Sequence, residues 1–315
     1  MPRIATITAG ALLALFTLAL FTLAGCSPKQ PADVLATTSI IGDATERIAG
    51  GKLKIDVLMG PGEDPHRFQP VARDLERLSS AKLVLYNGLH LEGKMTDHLE
   101  HAPGGRAVAV SRDIPHEKLL SASVDGGEHD PHVWFDVQLW KTCVGTIRDA
   151  LCDKFPEHAD TFRANAAEYL KELDDLDREV KEKANSLGDD RRKLVTSHDA
   201  FGYFARAYGF EVKGLQGVST GAESGTTRVS VLAKYIADHK VPALFTETSV
   251  PERGLQQVLD AVRRQHNWDV RLVSGDDALY SDSLGEPGTP TGTYVGTVRH
   301  NIDVIVKHLQ ASGGR

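Results

Sequence analysis

Short apolar segments with strand character alternate with helical segments in two separate regions of the chain. The first region has predicted strands at 34–37, 53–59 and 83–86, with helices near 42–49 and 72–79. The second has predicted strands at 194–196, 243–245 and 270–273. Alternation of this kind is typical of parallel sheets covered by helices. The sequence therefore predicts an α/β protein with two βα lobes.

One long amphipathic segment separates the two regions. Apolar residues recur at steps of three and four from Phe162 to Leu187, between Pro156 and Gly188. Proline in the first turn and glycine just past the last turn are helix start and stop signals. A coiled-coil dimer is the alternative use of such a helix, but only this one segment has the period. We therefore expect a monomer in which a rigid helix over 156–187 joins the lobes.

The N-terminus has the order of a secretory signal peptide. Arg3 is the only charge ahead of an apolar run at 4–21, which leads into Leu23-Ala24-Gly25-Cys26. A transmembrane anchor fits less well, because Ala, Thr and Gly dilute the run and a cysteine stands where cleavage would fall. Leu-Ala-Gly-Cys resembles the bacterial lipobox. We expect an exported protein that a lipid on Cys26 anchors at the cell membrane, in the periplasm or on the outer surface.

The predicted organisation has five parts. These are a signal peptide at 1–25, a lipidated flexible tether at 26–32, an N-terminal lobe at 33–155, the connecting helix at 156–187 and a C-terminal lobe at 188–315. Removal of residues 1–25, whose only charged side chain is Arg3, would change the formal charge from −7 to −8. This acidic balance, without a basic stripe, argues against a nucleic-acid partner.

Three histidines and one aspartate lie in predicted loops, three of them after predicted strands and His132 in a loop that leads into a predicted helix at Val137. His66 and His132 each close an Asp-Pro-His triplet, His198 follows the strand at 194–196, and Asp282 follows the last strand after a short loop. Open parallel sheets bind ligands beyond the carboxyl ends of their strands. Three imidazoles and one carboxylate would form a closed site for a first-row transition metal. We expect these four side chains to bind one ion in the cleft between the lobes.

The chain has 13 histidines, so most of them need another interpretation. His90 lies close to a predicted strand end and is the best candidate for an additional contact to the site. His98 and His101 lie among charged residues, which indicates an exposed helix face. His116 and His129 flank a polar loop that holds too few histidines to be a metal-collecting tract.

Taken together, these motifs resemble the metal-binding components of bacterial ABC importers for zinc, manganese and iron, the cluster A-I solute-binding lipoproteins. The similarity runs along nearly all of the mature chain, through segments 37–39, 62–66, 86–92, 130–134, 196–201 and 279–284. The resemblance implies two βα lobes joined by a backbone helix, with the metal between them. It also implies His66, His132, His198 and Asp282 as ligands and a membrane permease as partner.

The ligand set favours zinc over manganese and iron, which remain alternatives. Family members that resemble manganese binders tend to carry glutamate at the third ligand position, where this chain has His198. Many zinc-dedicated members carry a long histidine-rich loop between the first two ligands, whereas the corresponding loop here, 117–127, contains no histidine. Nitrogen-rich ligation suits zinc, and additional carboxylate would favour manganese.

A zinc-dependent hydrolase and a surface adhesin are the alternative functions. A hydrolytic zinc centre keeps one position open for water and commonly has a carboxylate as general base. Glu247 is the best candidate for such a base. Because four protein ligands would close the site, we expect Glu247 instead to orient a ligand. We therefore predict a metal-binding protein and not an enzyme.

Overall fold

Two parallel sheets organise the residues that this computed structural model describes, 31–122, 128–221 and 225–310. The first sheet consists of β1 (Val34–Thr38), β2 (Ile55–Met59), β3 (Leu83–Tyr86) and β4 (Ala107–Ala109), in the order β2-β1-β3-β4. The second consists of β5 (Lys193–Thr196), β6 (Glu211–Gly214), β7 (Ala243–Phe245) and β8 (Arg271–Val273), in the order β6-β5-β7-β8. The predicted α/β class with two parallel sheets is confirmed.

Both sheets therefore have the same strand order, and the order reverses between β1 and β3 and between β5 and β7. All neighbouring strands are parallel, with Val34 opposite both Ile55 and Leu83, and Thr196 opposite both Gly214 and Phe245. Ligands of doubly wound sheets bind at such reversals, beyond the carboxyl ends of the strands. At the carboxyl ends of its strands, each sheet thus has one place where side chains from the loops can form a site.

The structure contains two strands that the sequence analysis did not predict. Strands β4 and β6 are only three and four residues long, and their side chains are half-buried or exposed. Such segments carry little of the apolar signal by which a buried strand is recognised. Both are edge strands, one in each sheet. The strands that lead to the site were predicted.

Nine helices cover the sheets in the described part of the chain. They are α1 (Ser39–Ala49), α2 (Ala72–Ser80), α3 (Thr96–Glu100), α4 (Val137–Lys154), α5 (Ala159–Asn185), α6 (Gly202–Tyr208), α7 (Thr226–Asp238), α8 (Arg253–His266) and α9 (Tyr294–Gln310). Helix α1 begins where the Thr38 side chain accepts a hydrogen bond from the Ile41 amide, and it ends at the left-handed Gly50. Helix α4 begins at Asp136, whose carboxylate accepts from the amides of the first turn.

Helix α5 lies in the segment 156–187 for which a connecting helix is predicted, and its ends differ from that prediction. A 3₁₀ turn at Pro156–His158 precedes it, and 27 residues of α-helix follow, about 40 Å in length. The helix ends at Asn185, and Gly188, with φ −62°, does not supply a left-handed stop. Its buried face packs against α1, α4 and α9. The face that a coiled coil would need is therefore used within the chain.

The C-terminal helix α9 returns to the first half of the molecule. It packs against α5 and α1. At its first residue, the Tyr294 amide donates to Asp43 (3.0 Å), and the Tyr294 hydroxyl donates to the carbonyl of Trp134 (2.7 Å). The last helix thus contacts the N-terminal lobe, and the predicted lobe boundaries at 33–155 and 188–315 stay predictions.

The predicted signal peptide, the lipidation site Cys26 and most of the tether at 26–32 lie outside the described residues. Among the residues that are described, no helix combines the length and the apolar character that crossing a membrane requires.

Candidate metal centre

The loops after β2, β5 and β8, together with the loop before α4, bring the four predicted metal-binding side chains together. One ligand atom from each of His66, His132, His198 and Asp282 lies within 4.8 Å of the others. The last three side chains are buried, whereas His66 is partly exposed. His66 therefore forms the solvent side of the group.

Four distances between these atoms are compatible with one four-coordinate ion. Nε2 of His132 lies 3.2 Å from Nε2 of His66 and 3.3 Å from Nε2 of His198. The two carboxylate oxygens of Asp282 lie 3.5 Å from Nε2 of His132 and 3.5 Å from Nε2 of His198. Zn–N bonds of 2.0–2.1 Å in a tetrahedron separate the ligand atoms by about 3.3 Å. The group could therefore bind a zinc-sized ion with little rearrangement.

Two buried carboxylates orient the imidazole rings. Nδ1 of His132 donates to Oδ1 of Asp130 (2.7 Å), and Nδ1 of His198 donates to Oε2 of Glu247 (2.5 Å). These bonds direct Nε2 of each ring toward the centre of the group. Carboxylates that accept from the second ring nitrogen are common behind metal-bound histidines, where they fix the tautomer and raise the basicity of the ligand.

The position of Glu247 follows from the strand order. His198 comes after β5 and Glu247 after β7, the neighbouring strand at the reversal of the second sheet. Glu247 also accepts a hydrogen bond from the His198 amide (2.9 Å), so it holds both the backbone and the ring of that residue. The prediction that Glu247 orients a metal ligand stays a prediction, and this contact is the geometry that supports it.

Asp130 was missed as a positioning residue, although the repeated Asp-Pro-His triplet contained the signal. In both triplets the aspartate accepts from the amide of the histidine two residues later, Asp64 from His66 (2.9 Å) and Asp130 from His132 (3.0 Å). Aspartate commonly forms such local turns. Only Asp130 also reaches the ring of its histidine. The two triplets thus share a backbone role but differ at the side chain.

Only one of the two carboxylate oxygens of Asp282 accepts a hydrogen bond from a described residue. Its Oδ2 accepts from the Ser249 hydroxyl (3.2 Å), while Oδ1 is buried and has no hydrogen-bond partner among the described residues. A buried carboxylate oxygen without a partner is unfavourable unless a cation compensates it. This oxygen therefore fits a position next to a bound metal ion.

The charges of the group depend on protons in the absence of metal. Burial opposes charge on His132, but Asp130 and Asp282 outweigh it and raise the pKa of His132 to about 9. Burial likewise opposes charge on His198, but Glu247 and Asp282 raise its pKa well above the usual value. Burial favours the neutral form of Asp282, yet the two imidazoliums lower the pKa of Asp282 well below its usual range. The carboxylates around the group thus favour the charged forms of His132 and His198 when no metal is bound.

His66 differs from the other two imidazoles. Burial lowers its pKa to about 3, against the attraction of Asp282 and with the repulsion of His132 and His198. His66 therefore keeps a neutral ring at physiological pH and needs no deprotonation before it binds a metal.

The loops that carry the group are connected across the two lobes. The Thr220 hydroxyl donates to Oδ2 of Asp64 (2.5 Å), and the Trp134 indole donates to the carbonyl of Ser281 (2.9 Å). Each bond joins a loop of one lobe to a loop of the other. The segment around Asp282 is therefore held next to the segment that contains His132.

His90 does not join the group, although other residues of the same segment support it. His90 is exposed and has φ 63°. Glu92, by contrast, is buried and accepts hydrogen bonds from the Thr37 hydroxyl (2.8 Å) and the Asn87 amide (2.5 Å). Asn87 in turn donates to the carbonyl of Pro131, the residue before His132 (3.0 Å). The segment 87–92 acts on the site through Asn87 and Glu92.

The remaining histidines discussed in the sequence divide into two pairs. His98 and His101 are exposed, and neither belongs to a cluster of metal-binding side chains among the described residues. His116 and His129 lie next to each other, together with Glu128. This second cluster is separate from the four-residue group.

Comparison with known proteins gives extensive matches. The model of the family described as "Zinc-uptake complex component A periplasmic" matches residues 34–308. "Zinc-binding protein TroA" of Treponema pallidum (strain Nichols) is 47% identical over 302 residues, covering 94% of this chain and 96% of that protein. Its solved structure superimposes with a TM-score of 0.83 at 47% identity, covering 89% of this chain and 99% of that chain.

Two further relatives align over nearly their whole length. "Manganese-binding lipoprotein MntA" of Bacillus subtilis (strain 168) is 42% identical over 307 residues, 95% of this chain and 99% of that protein. "Manganese ABC transporter substrate-binding lipoprotein PsaA" of Streptococcus anginosus is 29% identical over 313 residues, 95% of this chain and 98% of that protein. The chain belongs to the family of zinc-uptake complex component A periplasmic proteins.

Proposed function

We propose that this protein captures a divalent transition-metal ion outside the cytoplasm and delivers it to the membrane permease of an ABC importer. The ligands in this proposal are His66, His132, His198 and Asp282. The observation that carries it is the convergence of three imidazole nitrogens and one carboxylate at tetrahedral spacing. The names of the relatives, which describe binding proteins for zinc or manganese and an ABC transporter component, support the same function.

Zinc is the metal that the proposed ligand set favours. Three nitrogens and one carboxylate bind zinc more tightly than manganese or ferrous iron, in keeping with the Irving–Williams order. Manganese and iron are the other ions that the site could carry, in a cell where they are more available than zinc. Manganese is the metal in the names of two relatives.

Competition dialysis with elemental analysis tests this order of affinity: equimolar zinc should displace bound manganese from the wild type. The variant His198→Glu should shift the preference toward manganese.

A hydrolytic role has no support in the site or in the relatives. Four protein ligands would leave no open position for an attacking water, and Glu247 points its carboxylate at the His198 ring instead of toward a substrate position. The relatives are named as metal-binding and transport proteins, not as enzymes. An adhesin role likewise has no support in these names.

Delivery to a permease can be tested in cells. Deletion of the gene in its own host should lower uptake of radiolabelled zinc at low external zinc. The wild-type gene and the His101→Ala variant should restore uptake, because His101 is exposed and outside the site. The Asp282→Ala variant should not restore it. Equal rescue by Asp282→Ala would contradict the proposed role of the site.

We further propose that a lipid on Cys26 anchors the protein, and that it acts as a monomer. The Leu-Ala-Gly-Cys order before the mature chain supports the anchor, as does the word lipoprotein in the names of two relatives. Metabolic labelling with a fatty acid, followed by membrane fractionation, should label the wild type and not Cys26→Ala. Light scattering of the purified soluble part should give the mass of one chain.

A further inference from the structure

We infer that His116, Glu128 and His129 form a second metal-binding site, separate from the four-residue group and open to solvent. Nε2 of His116 lies 3.0 Å from Nε2 of His129, and the ring centroids are 4.5 Å apart at 85°. One ligand atom from each of the three residues lies within 4.8 Å of the others. The side chains of His116 and Glu128 are exposed, and that of His129 is half-buried.

Backbone hydrogen bonds within the described parts of segment 115–130 hold the two sides of this cluster together. His116 begins a 3₁₀ turn, and Ser121 forms an antiparallel bridge with His129. Backbone hydrogen bonds from Ala122 to Glu128 (3.2 Å) and from Asp130 to Leu120 (2.8 Å) flank this bridge. The backbone next to both histidines is therefore fixed by hydrogen bonds.

The Tyr203 hydroxyl strengthens this arrangement from the other lobe. It accepts from the Leu120 amide (3.0 Å) and donates to the carbonyl of Asp130 (2.8 Å). The backbone on both sides of the Ser121–His129 bridge is thus hydrogen-bonded to the buried Tyr203 side chain. Side chains that project from such a segment need little ordering when they bind an ion.

The donor set fits a borderline transition-metal dication such as zinc(II). Two imidazole nitrogens on one ion at 2.0–2.1 Å would be about 3 Å apart when the angle at the metal is close to 90°. The observed 3.0 Å is compatible with that arrangement. The carboxylate of Glu128 would supply the third ligand, and water would fill the open position.

The same distance also allows a direct hydrogen bond between the two rings, in which no metal takes part. One ring would then donate and the other accept. The two arrangements differ in a measurable way, because only the metal site gives a second equivalent of bound zinc. The observation that favours the metal site over a ring pair alone is the position of the Glu128 carboxylate, one ligand atom of which lies within 4.8 Å of a ring nitrogen of both histidines.

This site should bind zinc more weakly than the four-residue group. It has three protein ligands instead of four, and Nδ1 of His129 is buried without a hydrogen-bond partner among the described residues. Among the described residues, no carboxylate accepts a hydrogen bond from either ring as Asp130 and Glu247 do in the first group, and such support is worth about 10–100-fold in affinity. We expect the second zinc to bind at least ~100-fold more weakly than the first.

Zinc stoichiometry of the purified mature chain tests this inference. Equilibrium dialysis with elemental analysis should find two zinc ions per wild-type chain at saturation. The double variant His116→Ala/His129→Ala should retain the tight zinc and lose the weak one. The control His98→Ala/His101→Ala removes another exposed histidine pair and should retain both. Circular dichroism of each variant should match the wild type.

The first site can be removed independently, so that failure of one proposal does not decide the other. In Asp282→Ala the tight zinc should be lost while the weak zinc stays. A wild-type chain that binds only one zinc at saturation would overturn the second site. So would a weak zinc that persists in His116→Ala/His129→Ala, or one that disappears in His98→Ala/His101→Ala.

Discussion

Asp130 accepts hydrogen bonds from both the backbone amide and the ring of His132, two residues later in the same segment. The amide bond measures 3.0 Å and the ring bond 2.7 Å. One short motif, Asp-Pro-His, therefore supplies a proposed metal ligand together with the carboxylate that orients it. The first triplet of the chain, which ends at His66, has the amide bond without the ring bond.

This difference predicts unequal effects of removing the two aspartates. Asp130→Ala should lower zinc affinity about 10–100-fold, because the His132 ring loses its orienting acceptor. Asp64→Ala is the matched control and should cost less, since Asp64 does not bond to the ring of His66. Isothermal titration of both variants measures the ratio. Equal losses would show that the ring bond to Asp130 does not matter for metal binding.

Metal binding should release about two protons per ion near neutral pH. The reason is that the pKa of His132 is raised to about 9 and that of His198 well above its usual value, which favours the protonated rings at pH 7 when no metal is bound. Zinc affinity should therefore rise with pH through the neutral range, toward pH 9. Calorimetry in buffers with different ionisation enthalpies counts the protons. Zinc binding without proton release at pH 7 would contradict these protonation states.

The stability of the metal-free protein should show the opposite dependence on pH. His132 has a higher pKa in the folded protein than its unperturbed value of about 6.5. Its charged form thus contributes stability that is fully present below about pH 6.5 and is lost as the pH rises through about 9. Urea denaturation of metal-free protein at these two pH values measures this effect: the free energy of unfolding should be lower at the higher pH.

A third prediction contrasts two residues of the segment 87–92. In Glu92→Gln, the side-chain amide cannot accept from both the Asn87 and Gly88 amides, as the carboxylate does. The variant should be destabilised by about 1–3 kcal/mol, the cost of leaving a buried polar group unsatisfied. His90→Ala should change the free energy of unfolding by no more than about 0.5 kcal/mol, because His90 is exposed. Chemical denaturation of both variants decides between them.

The sequence did not reveal that Glu92, and not His90, is the buried residue of the segment 87–92. Three ligand candidates, His66, His198 and Asp282, could be recognised because each follows a predicted strand, and strand order determines where those loops meet. His132 was recognised through the Asp-Pro-His triplet that it shares with His66. Which side chain of 87–92 points inward depends on positive φ angles at Leu89 and His90 (55° and 63°). Non-glycine residues rarely adopt this conformation, and composition does not reveal it.

Asp130 and the second cluster were missed for different reasons. Asp130 was part of a recognised motif, but a ring contact within one turn depends on a rotamer that no pattern encodes. His116 and Glu128 are 12 residues apart, and they meet only because the chain bridges at Ser121 and His129. A bridge of one residue pair leaves no alternating pattern that could predict it.

A fourth prediction concerns the size of the conformational change on metal binding. Helix α5 packs against α1, α4 and α9, and bonds such as that between Thr220 and Asp64 join the loops of both lobes. A continuous helix of about 40 Å resists wide hinge motion, so closure should be limited to loop shifts and a small tilt. Small-angle scattering of metal-free and zinc-bound protein should give nearly superimposable curves. A change of several ångströms in the radius of gyration would contradict a rigid connection.

The central claim is that four side chains bind one metal ion. Isothermal titration of zinc into the variants His66→Ala, His132→Ala, His198→Ala and Asp282→Ala tests it most directly, with His98→Ala and His101→Ala as controls. Each ligand variant should lose at least about 100-fold in affinity at the tight site, because a four-ligand zinc site distributes ~10–16 kcal/mol over its ligands. Both controls should retain wild-type affinity with unchanged circular dichroism. Near-wild-type affinity in any one of the four ligand variants would remove that residue from the site and contradict the account.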